Sequence, residues 1–204
     1  MARLAAAGYL VWAVLLTSGV LGAAGFTTLE LLLIEKWFPQ GSLPPPVQLY
    51  SKANPKLNAA VSGDKVVLAA SNCHDPYQKW YVLPSPFCYF YGDFYSFYSC
   101  VKSFSLLNAA TGKIIVVPKD GSVPKDGPVL LSQTLDLSAA AKELWTQGPR
   151  DAYGFSQMFP GVYPYGSKAL NDGVGKGTEV GIYSSSPIYT NTLWKIEPFP
   201  FCFP

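Results

Sequence analysis

Charged residues are scarce in this chain of 204 residues, at 14% of the total, and the formal net charge is +2. A protein that neutralises nucleic-acid phosphates needs a concentrated basic surface. The composition therefore argues against a nucleic-acid partner. The chain also has a single histidine, His74, and no Cys-x-x-Cys pair, which argues against a zinc site. The sequence predicts no metal and no cofactor.

The common sequence signatures of catalysis are missing as well. There is no second histidine, no Gly-x-Ser-x-Gly elbow and no glycine-rich phosphate loop. His74 precedes Asp75, but adjacent residues of an extended chain point to opposite faces. Glycoside hydrolysis needs two facing carboxylates, and the sequence does not place any two acids together. We therefore expect a protein that is not an enzyme.

Turn-forming and aromatic residues are abundant: the chain has 18 Gly, 18 Pro, 13 Tyr and 12 Phe. Such a composition is typical of one domain built from short strands and tight turns. Ser62-Gly63-Asp64 is predicted to form a hairpin turn. Short alternating segments predict strands at 47–50, 58–61, 65–69, 80–82, 104–108, 113–117 and 129–131.

Three tryptophans close successive groups of strand-like segments: Trp80, Trp145 and Trp194. The spacing is uneven, so any repeat is degenerate and contains insertions. The first closure is a Gln-x-Trp triplet, Gln78-Lys79-Trp80. Apolar or aromatic neighbours flank each tryptophan, which predicts that all three lie in the core. The pattern indicates an all-β module in three parts.

The N-terminus joins one basic residue, Arg3, to an apolar run from Leu4 to Phe26. Small residues at 22–25 are typical of a signal-peptide cleavage site, so residues 1–25 are predicted to be a signal peptide. The run is also long enough for an uncleaved helical anchor. Residues 26–46 are a Pro-rich linker with a short apolar segment, and residues 47–204 are the domain. We expect a secreted protein, or one that this segment holds at a membrane if it is not cleaved.

Four cysteines follow the leader: Cys73, Cys88, Cys100 and Cys202. An even number in a secreted chain predicts disulfides, and three pairings are possible. Cys88 and Cys100 bracket an aromatic segment in which Gly92-Asp93 could turn a hairpin, so we favour Cys88 with Cys100 and Cys73 with Cys202. Four reduced, buried thiols are the alternative if the leader is not a secretory signal.

A tandem duplication lies in the middle third of the chain. Val117-Pro118-Lys119-Asp120-Gly121-Ser122 is followed directly by Val123-Pro124-Lys125-Asp126-Gly127-Pro128. Each copy contains a Pro-x-Asp-Gly turn. We predict a surface loop over these residues.

Three segments at the start of the domain, 47–58, 63–70 and 75–81, resemble the opening of a known family, and the similarity continues at 104–113, 169–172 and 191–196. The family is the Euonymus-lectin-like domain, a plant branch of the ricin-B-like lectins. The resemblance implies a β-trefoil, in which three four-stranded lobes close a short barrel. The N-terminal hydrophobic segment, which we expect to be a helix, is an addition to the family's pattern. The resemblance also implies a non-catalytic carbohydrate-binding protein with glycans or glycoproteins as partners, in plant defence or stress response.

The resemblance further implies a sugar site in the last third of the chain. Asp172 matches the family's binding Asp, Tyr183 matches the aromatic residue at a strand end, and Asn191 matches the amide before the closing tryptophan. Thr192 stands where the family has Gln, and Ser185 stands where it has a second aromatic residue. An amide or carboxylate can bind pairs of hydroxyls while a ring covers a sugar's C–H face. The predicted site is Asp172, Tyr183, Asn191 and Thr192.

Two other functions are compatible with the same fold. A secreted protease inhibitor of the Kunitz type is also a β-trefoil and acts by filling a protease cleft with a rigid loop, but the cysteine spacing here is unlike that family's. A degenerate trefoil without sugar binding could instead bind another protein through the aromatic segment 87–98. A protease assay beside a glycan array distinguishes these alternatives.

Overall fold

The structure is a computed structural model that describes residues 44–91, 97–120, 123–133, 144–161, 166–173 and 178–200, with the backbone alone for 85–91, 97–102, 119–120 and 123. The predicted N-terminal helix, the signal segment and most of the linker lie outside these residues. So does the boundary at residue 25. Within the described part, no helix is long and apolar enough to cross a membrane.

The described residues form an all-β architecture, as predicted, with two short 3-10 turns at Pro76–Gln78 and Thr190–Thr192. Their strands are β1 Val47–Ser51, β2 Leu57–Ser62, β3 Lys65–Ala70, β4 Trp80–Tyr91, β5 Phe97–Asn108, β6 Ile114–Val116, β7 Lys119–Asp120, β8 Val123–Pro124, β9 Gly127–Pro128, β10 Leu130–Ser132, β11 Trp145–Gln147, β12 Ser156–Pro160, β13 Lys168–Asn171, β14 Gly181–Ser184 and β15 Leu193–Pro198.

Six of the described strands pair into a closed antiparallel ring. β1 pairs with β4, β4 with β5, β5 with β11, β11 with β12, β12 with β15, and β15 returns to β1. Closure leaves none of these strands with a free edge. The ring is the short barrel that the sequence resemblance implies.

Three hairpins of the described residues cover this barrel: β2 with β3, β6 with β10, and β13 with β14. They also contact one another, because the Val180 amide donates to the Val66 carbonyl at 2.8 Å and the Val129 amide donates to the Val180 carbonyl at 3.0 Å. The strands thus fall into a first lobe (β1–β4), a second lobe (β5, β6, β10 and β11) and a third lobe (β12–β15). A closed barrel capped by three such hairpins is the β-trefoil arrangement.

The three closing tryptophans occupy equivalent places in the lobes. Each is fully buried, at 0% exposure, and each indole Nε1 donates to a backbone carbonyl in the second strand of its own lobe. The acceptors are Ala59 for Trp80 at 2.9 Å, Ile115 for Trp145 at 3.3 Å and Leu170 for Trp194 at 3.0 Å. A buried indole needs such a partner for its N–H. The prediction that these tryptophans are core residues is confirmed.

The longest hairpin of the described residues departs from the predicted strand lengths. β4 and β5 pair without interruption from Trp80 opposite Asn108 to Tyr91 opposite Phe97, because the aromatic segment extends both strands beyond the predicted 80–82 and 104–108. Aromatic residues favour this extended conformation. The predicted hairpin between the cysteines is confirmed, although its turn at 92–96 lies outside the described residues.

The positions of Cys73, Cys88 and Cys100 are compatible with disulfide bonds. Cys88 lies directly opposite Cys100 in the β4–β5 ladder, where Cα atoms are about 4.5–5.5 Å apart, within the range that a disulfide can bridge. Cys73 is disulfide-bonded. The side chains of Cys88, Cys100 and Cys202 lie outside the described residues, so the pairing stays a prediction.

The tandem duplication lies at the surface, with residues 125, 126 and 128 exposed, but it contains three two-residue strands where we predicted a loop. The first copy enters a small ladder in which Lys119 faces Pro124 and Asp120 faces Val123. In the second copy, β9 pairs with β14 of the third lobe, with Gly127 opposite Ile182. The Pro-x-Asp-Gly pattern marks the turns, but the pairing depends on a distant strand that a local pattern cannot reveal.

Candidate functional site

The exposed ring of Tyr183 lies at the centre of the candidate site. Tyr183 is 42% exposed on β14, and a Cβ at Gly181 would lie 2.7 Å from its Cε2 atom. The ring therefore lies across the bare backbone of Gly181. A side chain at residue 181 would displace the ring, and it would also meet the Gly127 carbonyl oxygen at 2.8 Å.

Two amide side chains lie on the same face of this hairpin. Asn171 is directly opposite Gly181 in the β13–β14 ladder, and opposite residues share a face, as do residues two apart on one strand. Asn191 Nδ2 donates to Asn171 Oδ1 at 3.2 Å. The ring of Tyr183 and the backbone of Gly181 thus share one face of the hairpin with Asn171, which Asn191 contacts; these residues are here called the third-lobe site.

Asn191 keeps unused hydrogen-bonding capacity. Its Oδ1 atom is buried and accepts no hydrogen bond from the described residues. Its backbone carbonyl accepts from the Asp172 amide at 3.1 Å, which fixes the 3-10 turn against the end of β13. A buried acceptor without a donor costs free energy, so a hydroxyl donor that reached this atom would stabilise the site.

Asp172, which is predicted to bind the sugar, lies in the interior of the protein. Its side chain is 0% exposed and accepts a hydrogen bond from the Ser51 hydroxyl of the first lobe. The carboxylate thus connects the third lobe to the first. Direct contact between Asp172 and a sugar stays a prediction.

Thr192 is also buried, at 0% exposure. Its hydroxyl donates to the Tyr189 carbonyl at 2.8 Å and accepts from Gln157 Nε2 at 3.3 Å. Gln157 Nε2 also donates to the Ser185 carbonyl at 2.8 Å. Thr192 therefore stabilises the turn that carries Asn191, and whether it contacts a ligand stays a prediction.

Sequence reasoning missed Asn171 and Gln157. Asn171 could have been found, because an Asn before Asp172-Gly173 is a typical turn residue, and its Oδ1 does accept from the Gly173 amide at 2.9 Å. Gln157 carries no such signal. It lies in β12, and its partners come from other strands and turns.

An ion pair lies at the far end of the β13–β14 hairpin. Lys168 Nζ lies 2.7 Å from Asp126 Oδ1, and Lys168 is opposite Ser184 at the end of β14. Among the described residues, no group of three or more His, Cys, Asp or Glu side chains is arranged to hold a metal ion. The polar groups of the site suit an uncharged, hydroxyl-rich ligand.

No protein-family model matches the chain. The Ricin B-like lectin EULS3 of Arabidopsis thaliana is 30% identical to it over an alignment of 165 residues that covers 75% of this chain and 47% of that protein. The chain spans about half the length of this curated relative. The similarity agrees with the resemblance seen in the sequence.

Several solved structures have the same architecture. The designed 3-fold symmetric protein ThreeFoil matches with a TM-score of 0.52 and 17% identity, over 74% of this chain and 96% of that chain. The Rhizoctonia solani agglutinin matches with a TM-score of 0.50 and 16% identity, over 77% and 97%. The fold is a β-trefoil. A chicken IL-1 mutant also matches, with a TM-score of 0.51 and 12% identity over 76% and 97%, so this β-trefoil does not by itself select a function.

Proposed function

We propose that this β-trefoil is a carbohydrate-binding protein of the ricin-B-like type and that it binds glycans at the third-lobe site without catalysis. One observation carries the proposal: the exposed ring of Tyr183 lies on the same face as the amides of Asn171 and Asn191. A ring beside amides offers what a sugar needs, an apolar surface for its C–H face and partners for its hydroxyls. The similarity to the plant lectin supports this choice.

The site residues have separate roles in this proposal. Tyr183 stacks on the sugar ring, and Asn191 binds hydroxyls through its amide. Asp172 and Thr192 are buried and hold the turn and the end of β13 in place. They are therefore positioning residues, and their loss acts through Asn191.

We also propose that the protein follows the secretory route, as the leader suggests. The facing positions of Cys88 and Cys100 support this proposal, because stable disulfides form in oxidising compartments. Reduction with dithiothreitol should lower the melting temperature of the secreted protein. An unchanged melting temperature would count against the disulfides.

Binding is tested on a glycan array with the purified full chain, Tyr183→Ala and a matched control, Tyr77→Ala. Tyr77 is a tyrosine of similar exposure, at 48%, in the turn before the first closing tryptophan. We expect Tyr183→Ala to weaken binding about tenfold or more, as expected for the loss of a stacked ring, and Tyr77→Ala to bind normally. Equal binding by all three proteins would place the site elsewhere.

A protease-inhibition assay runs in parallel on the same samples. Tight inhibition without any glycan signal would replace the lectin proposal with the Kunitz-type alternative. Glycan binding without inhibition is the expected result.

A further inference from the structure

The loop that joins β11 to β12 holds its conformation through Asp151. The Asp151 Oδ1 atom accepts from the backbone amides of Tyr153 at 2.8 Å and of Phe155 at 3.0 Å. The Asp151 amide donates to the Phe155 carbonyl at 2.7 Å, and the Gly154 amide donates to the Asp151 carbonyl at 3.0 Å. Gly154 has a φ of 84°, which a residue with a Cβ rarely adopts. The loop therefore fixes the backbone of Tyr153.

Tyr153 is the most exposed large apolar or aromatic side chain of the described residues, at 71%. Phe155, two residues further along, is only 9% exposed and contacts Tyr50 edge to face, with ring centroids 5.7 Å apart. An exposed tyrosine on a fixed backbone offers a large contact surface, and few side-chain torsions must be ordered when it binds. The ring of Tyr153 can therefore cover an apolar face of a ligand at a low entropic cost.

Lys52 places a charged pair beside this ring. Its Nζ atom lies 5.3 Å from the ring centroid of Tyr153 and 5.8 Å from that of Phe155, distances at which a cation is attracted to a ring. The same Nζ atom donates to Asp151 Oδ2 at 2.6 Å. The Lys52 amide donates to the Leu193 carbonyl at 2.8 Å, which fixes the end of β1. A lysine from the first lobe thus meets a ring and a carboxylate from the loop before the third lobe.

The pair of Lys52 and Asp151 is open to solvent and has no net charge. The two side chains are 32% and 27% exposed. The hydrogen bond from Lys52 is the main cause that holds the pKa of Asp151 below its usual value, so the carboxylate is ionised at neutral pH. The neighbouring Arg150 guanidinium donates instead to Gln147 Oε1 at 3.2 Å. A carboxylate acceptor and an ammonium donor side by side suit neighbouring hydroxyls of a neutral sugar.

We propose that Tyr153, Lys52 and Asp151 form a second saccharide-binding site, here called the barrel-loop site. A neutral sugar stacks on the ring of Tyr153, and the ion pair binds its hydroxyls. The site shares no residue with the third-lobe site, which lies on the β13–β14 hairpin and the 3-10 turn before β15. This inference goes beyond the proposed function, because a chain with two sites can connect two glycans.

The first lobe provides a matched control. Tyr77 follows Asp75 at the same spacing, and its amide donates to Asp75 Oδ1 at 2.9 Å. Asp75 Oδ2, however, accepts from Nε2 of the buried Gln78 at 3.1 Å. The carboxylate that caps Tyr77 is thus bonded to an internal amide instead of a surface lysine. The substitution Tyr77→Ala therefore removes an exposed ring from the same Asp-x-Tyr arrangement without touching the proposed site.

The test measures the full chain and its variants on an array of galactose, glucose, mannose and N-acetylglucosamine conjugates, with sulfated and uronic-acid glycans beside them. We expect Tyr153→Ala to weaken binding of neutral sugars about tenfold through the loss of a stacked ring. Tyr153→Phe keeps the ring and should bind like the wild type, as should Tyr77→Ala. Because Tyr153 is exposed, the melting temperature of Tyr153→Ala should stay close to that of the wild type.

Titration with the neutral sugar that binds best on the array then counts the sites. The wild type should bind two sugars per chain, Tyr153→Ala and Tyr183→Ala one each, and the double variant none. Lys52→Gln should weaken the sugar that Tyr183→Ala still binds, because it removes the ammonium donor.

The outcomes separate this inference from the proposed function. One sugar per wild-type chain, lost in Tyr183→Ala and kept in Tyr153→Ala, would overturn the barrel-loop site and leave the third-lobe site standing. The reverse pattern would support the barrel-loop site and overturn the third-lobe site. A Tyr183→Ala variant that prefers sulfated or uronic-acid glycans would contradict the neutral specificity. No glycan binding by the wild type would remove both proposals.

Discussion

The first and third lobes close on tryptophan in different ways. In the first lobe Gln78 lies two residues before Trp80, and its Nε2 donates to the Ala70 carbonyl at the end of β3 at 2.9 Å. In the third lobe the matching residue, Thr192, is too short. Gln157 of the neighbouring strand β12 donates instead to the Ser185 carbonyl just after β14, at 2.8 Å. Both closures thus use an amide donor at this place, which comes from the 3-10 turn before β4 in the first lobe and from β12 in the third.

Because of this difference, the polar groups near Trp80 and near Trp194 have different hydrogen-bond partners. Gln78 also accepts from Asn58 Nδ2 at 3.1 Å and donates to Asp75 Oδ2 at 3.1 Å, so the first lobe has a polar network internal to the protein. In the third lobe the amide comes from Gln157 of β12, and the half-buried Asn191 keeps a buried Oδ1 atom that accepts no hydrogen bond from the described residues. The proposed binding site thus lies in the lobe whose Gln-x-Trp motif has been replaced.

Trp80 and Trp194 should contribute equally to stability, although different residues surround them. Trp80→Ala and Trp194→Ala each remove a fully buried indole, and each should lower the free energy of unfolding by about 3–5 kcal/mol. Guanidinium denaturation of the two variants measures this effect. A much larger loss for Trp80 would show that the lobes are not equivalent in their cores.

The substitution Gln78→Thr gives the first lobe the residue that the third lobe has two positions before its tryptophan. The Ala70 carbonyl, the Asn58 amide and the Asp75 carboxylate lose a partner, so we expect a loss of about 2–3 kcal/mol. Thr192→Ala is the counterpart in the third lobe and should cost about 1 kcal/mol, since one hydroxyl is lost. Chemical denaturation measures the loss of unfolding free energy in both variants. A larger loss for Thr192→Ala than for Gln78→Thr would contradict the proposed difference between the lobes.

Gln157→Ala should cost about 1–2 kcal/mol, because it leaves the Ser185 carbonyl without this donor. Adding Thr192→Gln to that variant rebuilds a Gln-x-Trp triplet and should recover part of the loss. The matched control is Gln48→Ala on β1, whose side chain makes a long contact of 3.4 Å with Asn58. If the double variant is less stable than Gln157→Ala, the two amides are not interchangeable.

The smallest effect is expected where the first and third lobes meet. Lys195 Nζ lies 2.6 Å from Glu197 Oε1, and the Tyr50 hydroxyl donates to Glu197 Oε2 at 2.7 Å. The hydrogen bond from Lys195, followed by that from Tyr50, lowers the pKa of Glu197 below its usual value of 4.5. The contribution to stability is therefore present above about pH 4.5 and is lost as the pH falls through the lowered pKa.

Thermal denaturation from about pH 6 to about pH 3 tests this contact. Glu197→Gln should melt slightly below the wild type at the upper end, and the difference should shrink as the pH falls. A constant difference across the range would mean that the contact does not depend on the charge of Glu197.

Features that depend on local sequence were predicted, and those that depend on distant partners were not. The role of Trp80 follows from its neighbours, and the hairpin at Gly63 follows from its turn residues, with a φ of 64° at that glycine. The burial of Asp172 depends on Ser51 in another lobe. The pairing of the duplication with β14 likewise depends on a strand that lies much later in the sequence.

The pairing of β1 with β15 has a topological consequence. Val47 is opposite Pro198, and the Phe199 amide donates to the Pro46 carbonyl at 2.9 Å, so the barrel returns to its own starting point. The ring itself has no privileged first strand. A circular permutant that joins residue 200 to residue 44 through a short linker, with new ends at the exposed Gly63-Asp64 turn, should keep every lobe. The barrel would then form whichever lobe comes first in the sequence.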